Sequence, residues 1–434
     1  MKKGFKKHAI LLGLSLFATQ SMAALSDKEQ QLADYIDKTN PAALKLLEDI
    51  VNINSGTMNF AGVKKVADVL IPEFKALGFD ARFEDGSAFG RAGHLVAELN
   101  GGTGPKMLLI GHLDTVFEPD SPFQTFEKIS DTQARGPGIA DMKGGDVVIL
   151  QALRALHDAG ELKNMNILVV MTGDEELSGR PLELSKKALT DGAKWADIAI
   201  GFENGDGNPA TANISRRGSI DWTLTVTGVP SHSSQIFKDN VGAGSIYEAS
   251  RILNTFYTDL RSEELLTYNP GRIMGGTAVT HDRKANSGTT FGKNNVVAET
   301  TIVTGDIRAI SEDQVNRVKD KMREIVAASL PKTQSTIEFG EGYPALAPTD
   351  GNKALLEIYS NVSEDLGQGK VAPVNPLNAG AADVSFTSAY VEMAIDGLGM
   401  SGSAGHTVNE TGNLEALPSQ SKRAAILLYR LKQQ

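Results

Sequence analysis

Met107-Leu108-Leu109-Ile110-Gly111-His112-Leu113-Asp114 opens with four apolar residues in a row and closes on an imidazole and a carboxylate. A short continuous apolar run ending at a glycine describes a strand buried on both faces, as in a sheet covered by helices. His112 and Asp114 follow its carboxyl end, two residues apart and therefore on one side of an extended chain. Strand-like runs recur at 81–84, 95–99, 167–171 and 198–202. Helical spacing lies between them. Asn40-Pro41 reads as a cap and first-turn proline ahead of Ala43, Leu46, Leu47 and Ile50, and a helix over 63–77 stops at Gly78. A long helix is expected at 145–157, another near 182–189, and a last one at 421–431. Alternating strands and helices predict an α/β domain with a mixed, mostly parallel sheet flanked by helices.

From Gly218 the texture changes. Ile220, Trp222, Leu224 and Val226 alternate with polar residues, as in a sheet buried on one face. A helix carrying Ile246, Ala249, Leu253 and Phe256 follows, then strands near 272–280 and 300–310. Ser311 to Gln314 forms a capping box for a helix with Val315, Val318, Met322 and Ile325, and a final strand lies near 336–339. Strand, helix, two strands, helix, strand is the split βαβ, ferredoxin-like order. The expected organisation is a first domain built from 24–217 and 342–434, with an inserted α+β domain at 218–341.

At 434 residues the chain exceeds one simple core. Lys2, Lys3, Lys6 and Lys7, an apolar run over 9–18 and Ser21-Met22-Ala23 read as a signal peptide, residues 1–23. The run falls short of the ~20 apolar residues of a bilayer span. Its cleavage implies a periplasmic or secreted protein with no remaining membrane segment. Losing those four lysines takes the formal charge from -10 to -14, a poor match for nucleic acid. There is no cysteine, so any metal must be held by His, Asp and Glu.

Such residues cluster. Gly173-Asp174-Glu175-Glu176 follows the run at 167–171, and Glu203 closes the run at 198–202. Two adjacent glutamates after a buried strand are costly to desolvate unless a cation sits on them. Asp141 lies in a glycine-rich loop feeding a helix, where it would repel a phosphate and suits a ligand bridging two cations. His406 ends a late glycine-rich loop, with Glu410 placed to orient it; His94, His157 and His281 lack such context and read as structural or exposed. Singly, these features admit a hydrogen-bonded His-Asp pair or a solvated acidic loop. Jointly, His112, Glu175, Glu176 and Glu203 sit past strand carboxyl ends, where open α/β sheets carry their sites.

In order and spacing, Gly111-His112-Leu113-Asp114-Thr115-Val116, Gly138 to Gly145 around Asp141, Asp174-Glu175-Glu176, Glu203 and His406-Thr407 with Glu410 resemble the M20 metallopeptidases, with the glutamate carboxypeptidases nearest in pattern. The resemblance implies a zinc-peptidase-like fold with a lid and dimerisation insert. It implies two zinc ions per subunit, replaceable by cobalt, bridged by Asp141. His112 and Glu203 would complete one site, and Glu176 and His406 the other. Glu175 would be the general base, with Asp114 behind His112. His232, in Ser231-His232-Ser233, would stabilise the oxyanion in the partner subunit of a homodimer, and Asn295 and Arg308 would line the substrate pocket. The implied reaction releases a C-terminal amino acid, glutamate-like, from a peptide or N-acyl amino acid; glutamate at position 203 goes with carboxypeptidases and deacylases in this family. Residues 209–215 depart from the glutamate-releasing pattern by lacking its lysine, although Arg216 and Arg217 follow. The alternatives are an N-acyl-amino-acid deacylase or dipeptidase of the same family and, in another class, a non-catalytic periplasmic binding protein. An uncoordinated Glu175 favours an enzyme.

Overall fold

A computed structural model describes residues 25–283 and 285–433; the signal-peptide segment lies outside the described residues. The central sheet has six strands in the order Asp80–Asp85, Gly93–Asn100, Asn166–Thr172, Lys106–His112, Ile198–Gly201 and Met393–Ile395. The first two junctions are antiparallel and the other three parallel. Lys106–His112 lies between two parallel neighbours, and its alternate side chains enter different cores. Met107 and Leu109 join the large core under helices Asp27–Val51, Phe60–Ala76, Gly144–Asp158 and Ala416–Leu431. Leu108 and Ile110 join a smaller core with Leu189 and Ala193 of helix Lys187–Trp195. Burial on both faces is why the strand reads as an unbroken apolar run.

Local expectations need correction at several places. Pro41 lies inside one helix, Asp27–Val51, capped instead by Ser26 in a capping box with Glu29. The buried Asn40 Oδ1 has no hydrogen-bond partner, so it caps nothing. The expected helix at 182–189 is two pieces, Leu182–Ser185 and Lys187–Trp195. The final helix starts earlier, at Ala416. An exposed hairpin, Ala278–Asp282 with Ser287–Phe291, carries too little apolar alternation to announce itself.

A second, fully antiparallel sheet is ordered Thr267–Gly276, Thr300–Arg308, Ile220–Thr227, Gln334–Phe339. In sequence order this is second, third, first, fourth, the arrangement of a split βαβ unit. Helices Ser245–Leu260 and Glu312–Ala327 pack on it around Trp222, Leu224, Val226, Phe256, Val303 and Met322, a core separate from that of the larger sheet. Two antiparallel bridges, Arg216 with Leu346 and Ser219 with Tyr343, form the neck between the two sheets. Among the described residues, no helix is long and apolar enough to cross a membrane.

Trp222 anchors the smaller core: its Nε1 donates to the Asp306 carbonyl at 3.2 Å and its ring meets Phe256 edge-on at 6.0 Å. Trp222→Ala should cost about 3–5 kcal/mol. Hydrogen exchange should rise across 220–339 while the strand Lys106–His112 stays protected; equal loss of protection in both sheets would contradict separate cores.

Candidate metal centre

Three adjacent parallel strands deliver their carboxyl ends to one place. His112 ends the central strand, Glu175 and Glu176 follow Asn166–Thr172 through Gly173 and Asp174, and Glu203 follows Ile198–Gly201 through Phe202. Asp141 enters from the turn Ile139–Lys143 ahead of helix Gly144–Asp158, where its backbone leaves helical geometry (φ -117, ψ 88). Gly145 lets that helix close on the sheet, since a Cβ there would lie 2.0 Å from the Phe202 carbonyl oxygen. His406 arrives from a late loop with φ 62, a left-handed conformation that a non-glycine residue adopts at some cost.

Asp141 stands between two ligand sets. Its Oδ1 lies 3.3 Å from His112 Nε2, which is itself 3.5 Å from Glu203 Oε1. Its Oδ2 lies 3.1 Å from His406 Nε2, which is 3.2 Å from Glu176 Oε2. Within each set, His112-Asp141-Glu203 and Asp141-Glu176-His406, the candidate ligand atoms all lie within 4.8 Å of one another. Glu176 Oε1 is buried without a hydrogen-bond partner, as a carboxylate awaiting a cation would be. The donor set of imidazoles and carboxylates, without thiolate, fits a borderline divalent ion such as zinc.

The buried carboxylates and imidazoles shift one another's affinity for protons. Burial opposes charge on His112, but Glu203 foremost, then Asp114 and Asp141, holds its pKa well above the ordinary histidine range. Hydrogen bonds to Asp141 and Glu176 push His406 up to about 11. Burial also raises the pKa values of Glu175, Glu176 and Glu203. Asp141 alone is lowered: burial opposes this, but its bonds to the two histidines prevail. Divalent cations held by these residues would supply the positive charge that the carboxylates favour, and ligation needs the imidazoles neutral.

A second ring of buried groups fixes the first. Asp114 lies behind His112 as expected, its Oδ1 3.5 Å from Nδ1, and its backbone oxygen is the closer partner at 3.0 Å, leaving Nε2 toward Asp141 and Glu203. The Asp114 carboxylate accepts from Thr57 Oγ1 at 2.6 Å and from the backbone N–H groups of Glu175 and Glu176 at 3.1 and 3.2 Å. It therefore sets the glutamate turn as well as the imidazole. Glu410 does not orient His406. Its buried carboxylate accepts from the N–H groups of Gly138, Ala140 and Asp141 at 3.2, 2.9 and 3.1 Å, clamping the Asp141 loop. Asp396, which sequence reading missed, accepts from Glu203 N at 3.2 Å and from Arg216 Nε at 2.7 Å.

His232, Asn295 and Arg308 are not gathered with these ligands; among the described residues no hydrogen bond or ion pair joins them to the cluster. His232 is exposed, with Nδ1 2.9 Å from Ser234 Oγ and accepting from Ser234 N at 3.2 Å. Asn295 is exposed and offers its carbonyl to Ser233 N, while Arg308 Nε holds Asp306 at 3.0 Å. His94, read as structural, is buried, stacked on Phe89 and bonded to the Ser185 carbonyl and Gly173 N.

Residues 108–430 match the peptidase family M20/M25/M40, and the chain belongs to that family. It is therefore a metallopeptidase or amidohydrolase of the M20 type, which removes the binding-protein alternative. Carboxypeptidase G2 of Pseudomonas sp. (strain RS-16) is 25% identical over 438 residues, spanning 99% of both chains. Succinyl-diaminopimelate desuccinylase of Maricaulis maris is 32% identical over 207 residues, 45% of this chain and 50% of that one. In fold, the chain superposes with a TM-score of 0.64 on the Bacillus subtilis YXEP protein, a dinuclear metal-binding peptidase of the M20 family. That match is 15% identical and covers 92% of this chain and 99% of the other.

Glu410→Gln tests the clamp. An amide offers one acceptor oxygen and turns an NH2 group toward a backbone donor, so we expect a loss of about 1–3 kcal/mol in denaturant unfolding. Amide exchange at 138–141 should rise; unchanged exchange there would show that Glu410 does not hold the loop.

Proposed function

We propose that the chain is an exported, two-zinc hydrolase that cleaves an amide bond to release a C-terminal amino acid. The observation carrying this reading is Asp141, with one oxygen toward His112 and Glu203 and the other toward Glu176 and His406, beside a Glu175 belonging to neither set. When bound, a pair of divalent ions supplies Lewis acidity to the scissile carbonyl and acidifies a water. Zinc suits the ligands, with cobalt as a substitute. Glu175 makes no side-chain hydrogen bond or ion pair among the described residues, so its carboxylate is free to work. Burial raises its pKa well above the usual range, and Asp383 and Glu176 reinforce the shift against the opposing charge of His112. A carboxyl tuned upward can take a proton from water and pass it to the leaving nitrogen near neutral pH.

The substrate's free carboxylate would meet Arg217 and Arg308. Arg217 is mostly buried, and its Nε lacks a partner. Its Nη1 donates to Thr267 Oγ1 at 2.8 Å, and burial, then the Arg308 charge, lowers its pKa. Two neighbouring guanidiniums would attract an anion, with Arg308 the more accessible of the two. This supports a substrate ending in a carboxylate, glutamate-like where both arginines engage a diacid. The desuccinylase likeness supports a second reading, N-acyl-amino-acid deacylation by the same machinery. His232, exposed and bonded to Ser234 rather than to this subunit's candidate ligands, fits a role at the partner's site in a homodimer formed through the 218–341 unit. The N-terminal sequence supports a periplasmic or secreted location.

Glu175→Gln should retain its metal by elemental analysis and lose turnover by about 10²–10⁴-fold. Near-parental turnover would remove Glu175 as the base. Arg308→Ala should lower kcat/KM for free-acid substrates by at least about tenfold. C-terminal amides of the same substrates should be nearly unaffected, and an equal loss on both would exclude carboxylate recognition by Arg308.

A further inference from the structure

The neck between the two sheets is built from residues that also touch the metal centre's backbone. Arg216 and Leu346 exchange two main-chain hydrogen bonds of 2.9 Å, and Ser219 and Tyr343 exchange two of 3.0 Å. From one neck strand, Arg216 reaches Asp396, which receives the Glu203 N–H. From the other, the Tyr343 hydroxyl donates to the Glu175 carbonyl oxygen at 3.0 Å, with Asp383 Oδ1 at 3.3 Å and Ser178 Oγ at 3.0 Å. Glu341, two residues earlier, accepts from Arg180 Nη1 at 3.1 Å and Leu182 N at 3.3 Å, so the same strand grips the loop after Glu175 twice.

The hydroxyl's surroundings are rigid. Asp383 is held by Lys186 Nζ at 3.0 Å and Thr172 Oγ1 at 2.6 Å, and Lys186 also pairs with Asp174 at 3.0 Å. The Tyr343 ring meets Phe386 edge-on at 4.9 Å. Burial, then the charges of Asp383 and Glu175, raises the Tyr343 pKa well above its ordinary value, so the phenol remains a donor throughout the working pH range. The hydroxyl, its one proton shared between the Glu175 carbonyl and Asp383 Oδ1, ties the Glu175 main chain to the Asp383–Lys186 pair.

We propose that the neck is a coupling element in which Tyr343 is a positioning residue for Glu175, so that the attitude of the 220–339 unit sets the placement of the base. This rests on the reading of Glu175 as the base. An attachment that both orients the smaller unit and aligns the proton acceptor ties productive chemistry to one arrangement of the two sheets.

Tyr343→Phe removes the hydroxyl and keeps the ring against Phe386. In the full chain we expect kcat to fall about tenfold with KM within about twofold and metal per chain unchanged. In the metal-free protein, amide exchange should rise at 174–179 and stay unchanged in the strand Lys106–His112. Pro344→Gly, which loosens the neck but keeps the hydroxyl, should raise exchange over the same 174–179 segment. Parental kcat and exchange in Tyr343→Phe, a kcat loss matched by metal loss, or unaltered exchange in Pro344→Gly would each overturn the coupling. The exchange measurements are independent of which group is the base, so an active Glu175→Gln enzyme would overturn that assignment and its catalytic consequence while leaving the structural coupling of the neck to 174–179 to be judged by exchange.

Discussion

Four carboxylates, Asp141, Glu175, Glu176 and Glu203, are confined to one recess at the end of a sheet, and their mutual repulsion is the constraint that the rest of the structure answers. Two like charges ~4 Å apart cost on the order of 4 kcal/mol at an effective dielectric of 20, before any desolvation. Burial foremost, and neighbouring carboxylates after it, raise the pKa values of the three glutamates. Two imidazoles relieve part of the repulsion by accepting protons, which is why His406 is pushed so high. A pair of divalent cations would relieve far more, and the orphaned Glu176 oxygen marks where charge compensation is missing.

The fold meets this demand by making the recess rigid before anything binds. Three parallel strands with double-sided apolar burial place their ends side by side, and the buried ring of Asp114, Glu410 and Asp396 spends its hydrogen bonds on the backbone of the ligand-bearing turns. Burying those acids carries its own cost: desolvation pushes Glu410 up to about 7 despite three backbone donors. Such a shell holds the ligand carboxylates together against repulsion, and similar preorganisation is what a hydrolytic centre requires.

The sheet, and the five residues that the structure gathers as candidate ligands, are legible because their signals are local. An apolar run followed within five residues by His or Glu declares both a buried strand and what stands at its end, and Asp141 and His406 sit in glycine-rich loops. What escaped is long-range or overridden by packing. Glu410 lies 269 residues from Asp141 in the chain, and proximity to His406 in sequence suggested the wrong partner. Asp396 and Arg216 meet across 180 residues with no motif to announce them. Asn40-Pro41 has the local chemistry of a helix start, yet Leu32, Ile36, Ala43 and Leu47 bury one continuous face, and that burial outweighs the missing proline donor. The smaller sheet was legible from the alternation in 220–226, whereas its exposed hairpin was not.

The most direct test of the account is anomalous diffraction from crystals of the zinc-loaded protein, with Asp141→Asn as the comparison. Two ions per chain are expected in the parent, one touched by His112 and Glu203, the other by Glu176 and His406, both sharing Asp141. Loss of at least one of them is expected in the variant. A single ion, ions held elsewhere, or an undisturbed pair in Asp141→Asn would contradict that arrangement.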